Sequence, residues 1–296
     1  MNHYLCFDAG TQSVKVAVYS AKGECVAKAI NPTTLFYPHP GWVEMDVEEY
    51  FQLTLAGMKD CAEQMGRKGL DPASFRVVMG DGIICGIAGV DEAGRAVTPY
   101  INYLDSRTQE DAAALAALGT DLWARETGNP DPLCLFPALH ARWLLKNAPS
   151  RGRVRKLMHN APYILLNLAG LGASDAFIDW GTLSGWGLGY DVMEKRWSPE
   201  QLEILGISPS LLPRIVRPWD VVGGLSEEAA ARTGFPPGLP VCAGAGDTMQ
   251  SLLGCGVFAP GHAVDVAGTC SMFCISTAGI VPDLSRSGNN LIFNSA

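Results

Sequence analysis

Three short segments bring together residue types suited to holding a phosphate and activating a hydroxyl. The first is Asp8-Ala9-Gly10-Thr11-Gln12-Ser13-Val14-Lys15, between two apolar runs. Gly10 permits a tight turn and lets backbone N–H groups form an anion-binding nest. Thr11 and Ser13 add hydroxyls, Lys15 a cation, and Asp8 a carboxylate able to hold a hydrated Mg2+. An ordinary hairpin with an Asp/Gly turn uses the same residues, and the segment alone does not choose between the two.

The second segment is Ala243-Gly244-Ala245-Gly246-Asp247-Thr248-Met249, after the apolar run from Pro240. Asp247 is placed to cap a helix through Leu253, which accounts for an aspartate without any chemistry. The two glycines and the strand-to-helix switch also suit a concave, backbone-lined site. A helix N-terminus is expected to keep this carboxylate ionised. A low pKa is compatible with phosphoryl transfer, where the base mainly orients the hydroxyl. The third segment, Val266-Ala267-Gly268-Thr269-Cys270-Ser271, reads by itself as a turn. No G-x-x-x-x-G-K-[ST] loop, complete G-x-G-x-x-G or H-E-x-x-H occurs, and the five histidines are dispersed.

Composition narrows the classes. The 296 residues carry a formal net charge of −8, which argues against a non-specific nucleic-acid binder. With 48% hydrophobic and 18% charged residues the chain is globular in type. The nine cysteines form no C-x-x-C pair, and the closest, Cys270 and Cys274, lack a third zinc ligand nearby. The longest apolar stretch, around Tyr163 to Ala173, is too short and too interrupted to span a bilayer. No basic n-region or cleavage site opens the chain, so a cytoplasmic location with reduced thiols is expected.

Several elements must position these segments. Runs at 4–8, 14–20 and 24–30, joined by short turns, predict an antiparallel meander. A helix follows, with Asp46 as N-cap, Glu49 completing a capping box, and an apolar face at Val47, Tyr50, Phe51, Leu55, Met58, Ala62 and Met65. A glycine-broken strand region spans 77–90 and closes on the turn Asp91-Glu92-Ala93-Gly94. Helices are predicted at 108–117 and 136–147, after the cap Ser198-Pro199-Glu200-Gln201 up to Gly206, and from Ser226 to Gly234. The class is α/β with an antiparallel start to a mixed sheet.

Taken in order, these segments resemble the FGGY family of carbohydrate kinases, within the actin-like (ribonuclease H-like) ATPase superfamily. Asp8 to Lys15 looks like the family's first phosphate motif, and Pro40-Gly41-Trp42-Val43-Glu44-Met45-Asp46 like its P-G-W-x-E-x-D segment. The turn at 91–94, Pro99, and Leu104-Asp105-Ser106-Arg107-Thr108 match its hairpin and D-x-R-T stretch. Phe136-Pro137-Ala138 with Trp143, the Trp197-Ser198 helix start, Gly246-Asp247 and Gly268-Thr269 follow in the family's order. The likeness runs from about residue 4 to residue 275.

The resemblance implies a ribonuclease H-like domain with a mixed sheet flanked by helices, and ATP and Mg2+ as cofactors. Asp247 would be the general base toward a sugar or polyol hydroxyl. Gly10, Thr11, Gln12, Ser13 and Lys15 would approach the ATP phosphates, with Gly268 and Thr269 on the other side. Asp8 and Asp247 would position Mg2+, while Ile84, Cys85, Tyr103 and Asp105 would line the sugar pocket. It leaves room for a homodimer, with no nucleic-acid or membrane partner.

Two departures stand out. Xylulose kinases carry Met-His, and glycerol kinases Arg-Glu, where this chain has Ile84-Cys85, a pair unable to give the same hydrogen bonds to a polyol. Relatives also continue through a second domain holding the adenine pocket. The expected organisation is therefore a sugar-binding domain over 1–253 and the start of an ATP-binding domain over 254–296, inactive by itself. The alternative is a non-catalytic carbohydrate-binding or regulatory relative. The retained Asp8, Thr11, Lys15 and Asp247 speak against that alternative. The segments at 40–46 and 91–108 argue against another actin-like ATPase, such as a chaperone or cell-shape protein.

Overall fold

The computed structural model describes residues 1–129, 131–267 and 271–280. Strands β1 (His3–Ala9), β2 (Ser13–Ser20) and β3 (Cys25–Pro32) form the antiparallel meander expected from their alternating burial and short turns. The short β4 (Glu44–Met45) leads into helix α1 (Val47–Arg67), which lays Val47, Tyr50, Phe51, Leu55, Met58 and Met65 on this sheet. Asp46 caps α1 through Glu48 N–H, but the capping box does not form. Glu49 instead accepts from the backbone N–H and hydroxyl of Thr34, two bonds to its carboxylate from a residue distant in sequence.

The glycine-broken region resolves into β5 (Phe75–Gly82) and β6 (Gly86–Val90), followed by β7 (Tyr100–Asn102). Helices α2 (Gln109–Ala116), α3 (Leu122–Thr127) and α4 (Pro137–Asn147) come next, then β8 (Lys156–Met158) and α5 (Asn160–Leu168). Strand β9 (Phe177–Asp179), helix α6 (Trp180–Ser184), and β10 (Tyr190–Asp191) paired with β11 (Arg196–Trp197) precede α7 (Pro199–Leu205). After β12 (Arg214–Val216) and β13 (Val221–Gly224) come α8 (Glu227–Thr233), β14 (Pro240–Cys242) and α9 (Asp247–Gly254). Strands β15 (Ala263–Ala267) and β16 (Ser271–Ile275) form an antiparallel hairpin.

Both sequence-predicted caps are made: Ser198 accepts from Gln201 N–H and Ser226 from Ala229 N–H. Gly206 and Gly234 close these helices in the left-handed region, where an L side chain is strained.

The principal sheet has the order β13-β14-β5-β1-β2-β3, with β1, β5 and β14 parallel and the remainder antiparallel. Helices α1, α5 and α8 share one buried apolar cluster with it. A second sheet, β4-β7-β6-β8, packs with α4 and α7 around Trp123, Phe136, Trp186 and Tyr190. The three parallel strands matter most for function. In open α/β sheets, ligands gather beyond their carboxyl ends.

Candidate active site

Each of those three carboxyl ends carries or delivers an aspartate. Asp8 lies near the end of β1 and Asp81 near the end of β5, and the two are register partners. Strand β14 pairs with β5 at Val241–Val78, and its chain continues through Ala243 and Gly244 to Asp247. Gly244 has φ +71°, and a Cβ there would collide with the Gly80 carbonyl oxygen. A Cβ on Gly246 would strike Ile84 in the same way. These two glycines let the backbone run tight against the end of β5 and set Asp247 beside it.

The turn between β1 and β2 is closed by Gly10 N–H donating to the Ser13 carbonyl at 3.1 Å. Thr33 braces it, its hydroxyl donating to Thr11 O at 2.7 Å and its N–H to Gln12 O. Lys15 Nζ bonds Asp8 Oδ2 at 2.6 Å, so the loop's cation and carboxylate already face each other. Tyr50 donates to Gly10 O at 3.0 Å and Asn160 to Ala9 O at 2.8 Å, anchoring the backbone that leads into the turn.

Asp247 occupies the first turn of α9 but does not cap it. Gly246 is the N-cap, and Asp247 Oδ1 accepts from Thr248 N–H at 2.6 Å and from the Thr248 hydroxyl at 3.3 Å. The expectation of a low pKa is corrected too. Burial raises the Asp247 carboxyl to about 6, helped by the Asp8 charge and opposed by Thr248 and Lys15. Removal from water outweighs the helix terminus. A carboxylate poised near neutrality is suited to taking a proton from a hydroxyl.

Asp81 is the residue that sequence reading missed. Burial, then the Asp8 and Asp247 charges, push its carboxyl up to about 8, and its Oδ1 is buried without a hydrogen-bond partner. The available signal was an acidic residue flanked by glycines inside a strand, Gly80-Asp81-Gly82. Phe7 and Asn160 fill the space that side chains at 80 and 82 would need.

Of the expected pocket residues, Ile84 and Cys85 do come together with Ala245 and Met249, and Tyr103 and Leu135 pack against this small buried cluster. Burial pushes the Cys85 thiol up to about 12, and its Sγ is turned to the Gly185 carbonyl at 3.4 Å. Asp105 differs from the others. Its carboxylate is 0% exposed and fully committed to Val43 N–H, Arg107 N–H and the Arg107 guanidinium. Arg107 also binds Glu44 at 2.8 Å and lies over the rings of Trp42 (3.9 Å) and Trp143 (4.6 Å). The segments at 40–46 and 104–108 are thus folded onto each other, with Gly41 O accepting from Ser106 N–H and its hydroxyl. Gly268 and Thr269 lie outside the described residues.

The model of the FGGY family of carbohydrate kinases, N-terminal domain, matches residues 3–254. The chain belongs to this family. Similar curated proteins include a glycerol kinase of Nitratidesulfovibrio vulgaris, 27% identical over 98% of this chain and 57% of that protein. A xylulose kinase of Escherichia coli is also 27% identical, over 94% of this chain and 55% of its own length. Among solved structures, a xylulose kinase from Rhodospirillum rubrum superposes with TM-score 0.87 at 25% identity, over 95% of this chain and 56% of that one. The fold is accordingly the ribonuclease H-like, mixed α/β fold of the FGGY kinases. The chain spans a little over half the length of the curated relatives it matches.

Among the described residues, no three His, Cys, Asp or Glu side chains form a ready-made metal centre. The donor chemistry nevertheless fits a hydrated divalent cation: the carboxyl groups of Asp8 near the end of β1, Asp81 near the end of β5 with an orphaned buried oxygen, and Asp247 in the first turn of α9, against a single lysine. Mg2+ keeps several waters and needs only one or two direct carboxylates. Among the described residues, no helix is long and apolar enough to cross a membrane.

Proposed function

We propose that this chain is the sugar- or polyol-binding part of an ATP-dependent carbohydrate kinase, with Asp247 as the general base. The observation that carries the reading is the convergence of Asp8, Lys15 and Asp247 beyond the carboxyl ends of parallel strands. Residues 1–253 would form the substrate domain and 254–296 the opening of the ATP-binding domain. Asp247 would draw the proton from the substrate hydroxyl as that oxygen attacks the γ-phosphorus. Thr248 holds Asp247 Oδ1 in place, leaving Oδ2 for the hydroxyl.

Gly10, Thr11, Gln12, Ser13 and Lys15 would lie against the phosphates, with Gly268 and Thr269 opposite, and Asp8 and Asp247 would hold Mg2+. The cation, when bound, supplies charge neutralisation at the phosphates. Ile84, Cys85 and Tyr103 would face the carbon skeleton of a small ketose or polyol. Asp105 would act indirectly, through Arg107 and the 41–45 segment. A cytoplasmic location fits such a substrate.

The test is ADP release, coupled to product detection, for the 296-residue chain and for the longest chain that contains it, against ketoses, polyols and sugar acids. The expected result is turnover in the longer chain that Asp247→Asn lowers by about 10²–10⁴-fold while sugar-dependent thermal shifts persist. Full turnover by Asp247→Asn would sink the assignment of the base. Robust turnover by the 296-residue chain would sink its reading as an incomplete kinase.

A second reading, a non-catalytic carbohydrate-binding relative, draws on the apolar cluster of Ile84, Cys85, Ala245 and Met249 behind Asp247. Ligand binding with no turnover in any chain length would favour it.

A further inference from the structure

Where α1, the 93–95 turn, the end of α5 and one side of α8 meet, the packing leaves a cavity of about 160 Å³. Protein interiors are close-packed, and this volume is far above the roughly 10–15 Å³ that a single water needs. Phe51 and Leu55 of α1 give it an apolar wall, and Arg95, Asn167, Glu228 and Arg232 are among its polar lining. None of these residues belongs to the phosphate-type turn or to the cluster around Asp247. The cavity lies between the two helices that anchor that turn, since Tyr50 precedes Phe51 on α1 and Asn160 opens α5.

The lining has positive charge to spare. Arg232 Nη2 donates to Gln52 Oε1, and Gln52 is itself held by Glu48. The Glu48 carboxylate also accepts from the Tyr163 hydroxyl at 2.6 Å, so Arg232 stands oriented but unpaired. Among the described residues, neither Arg95, Arg232 nor Glu228 makes an ion pair. Two arginines and one glutamate leave a single net positive charge. A guanidinium pair suits one carboxylate, whereas a second negative group on the same ligand would meet Glu228.

The neutral polar groups suit a hydroxyl. Asn167 spends Nδ2 on the Gly94 and Tyr163 carbonyls, which leaves Oδ1 as an acceptor. Ser226, also in the lining, accepts from Ala229 N–H and keeps its own proton to donate. We propose that this cavity is a binding site for a short-chain hydroxy monocarboxylate. The carboxylate would lie between Arg95 and Arg232, the hydroxyl at Asn167 and Ser226, and the carbon chain against Phe51 and Leu55. The site stands apart from the kinase reading, because phosphoryl transfer uses none of these side chains.

The competing account is a water-filled gap in the packing edged by solvated arginines. Isothermal titration of 2-hydroxybutyrate into the 296-residue chain at low ionic strength separates the two, with circular dichroism to check folding. Wild type should bind with a dissociation constant at or below about 1 mM. Arg95→Gln and Arg232→Gln, both exposed changes, should each weaken binding by about tenfold with unchanged spectra. Malate, with its second carboxylate, should bind about tenfold more weakly than 2-hydroxybutyrate, and Glu228→Gln should narrow that gap. Lys15→Gln, in the phosphate-type turn, should leave 2-hydroxybutyrate binding unchanged. No binding by wild type, full affinity in both arginine variants, or equal binding of uncharged butane-1,2-diol would each overturn the proposal. So would a loss confined to Lys15→Gln, which would place the acid in the phosphate-type turn. None of these readouts depends on turnover, so a failed kinase assay leaves the outcome for this cavity unaffected.

Discussion

Asp8 on β1 and Asp81 on β5 are register partners across a parallel strand pair, and Asp81 keeps one buried oxygen without a hydrogen-bond partner. Parallel pairing is what makes them neighbours. The 73-residue separation between them is bridged by the meander, α1 and the return into β5. Any charge change at one is therefore felt at the other.

That coupling predicts a pH signature in stability. The folded chain holds the Asp81 proton up to about pH 8, whereas the unfolded chain releases it near the ordinary carboxyl value of 3.8. Between those values the folded state binds the extra proton, so this contribution to stability falls as pH rises. Asp81→Asn has no proton to lose. Its melting temperature should match wild type at and below about pH 4 and exceed it increasingly toward pH 8, by on the order of 10 °C. Differential scanning fluorimetry in metal-free buffer checks this. A constant offset across the range would mean that Asp81 is not the titrating group.

How much of this was legible in the sequence follows from the range of the forces involved. The caps Ser198 and Ser226 and the β1–β3 meander were readable because their hydrogen bonds join near neighbours. Glu49 was misread because Thr34, fifteen residues away, competes for its carboxylate. Asp247 was found from its glycines, but its raised pKa was not, because burial is set by the packing of β5, β14 and α9 around it. Asp81 was invisible for the same reason: it becomes a site residue only through a parallel pairing that no local pattern encodes.

The Arg107 network predicts a stability effect away from the chemistry. Its guanidinium side chain is 1% exposed, paired with Asp105 and Glu44 and held between Trp42 and Trp143. Arg107→Ala would leave the Asp105 carboxylate buried and uncompensated, at a cost of about 3–5 kcal/mol. Arg107→Lys should recover only part of that, since an ammonium cannot match the planar fork and stack. Urea unfolding of the three proteins decides it. Equal stability of the Lys variant and wild type would show that charge alone matters here.

The raised Asp247 carboxyl predicts the acid side of the activity profile. A base must be ionised before it can accept the hydroxyl proton, and this carboxylate ionises at about 6. In the longest active chain, kcat/KM should be level above pH 7 and fall about tenfold per pH unit well below 6. Burial first, and then the Asp8 charge, raise that value beyond a normal carboxyl. Asp8→Asn removes one negative neighbour, so the acid limb should shift to lower pH even where the overall rate drops. Thr248→Ala removes the hydroxyl that bonds Asp247 Oδ1 at 3.3 Å, which favours the ionised form, so its limb should move to higher pH. Opposite displacements in the two variants, measured under kcat/KM conditions, would assign the limb to Asp247. A limb that stays fixed in both belongs to another group, and Asp247 would then have to act without titrating in this range.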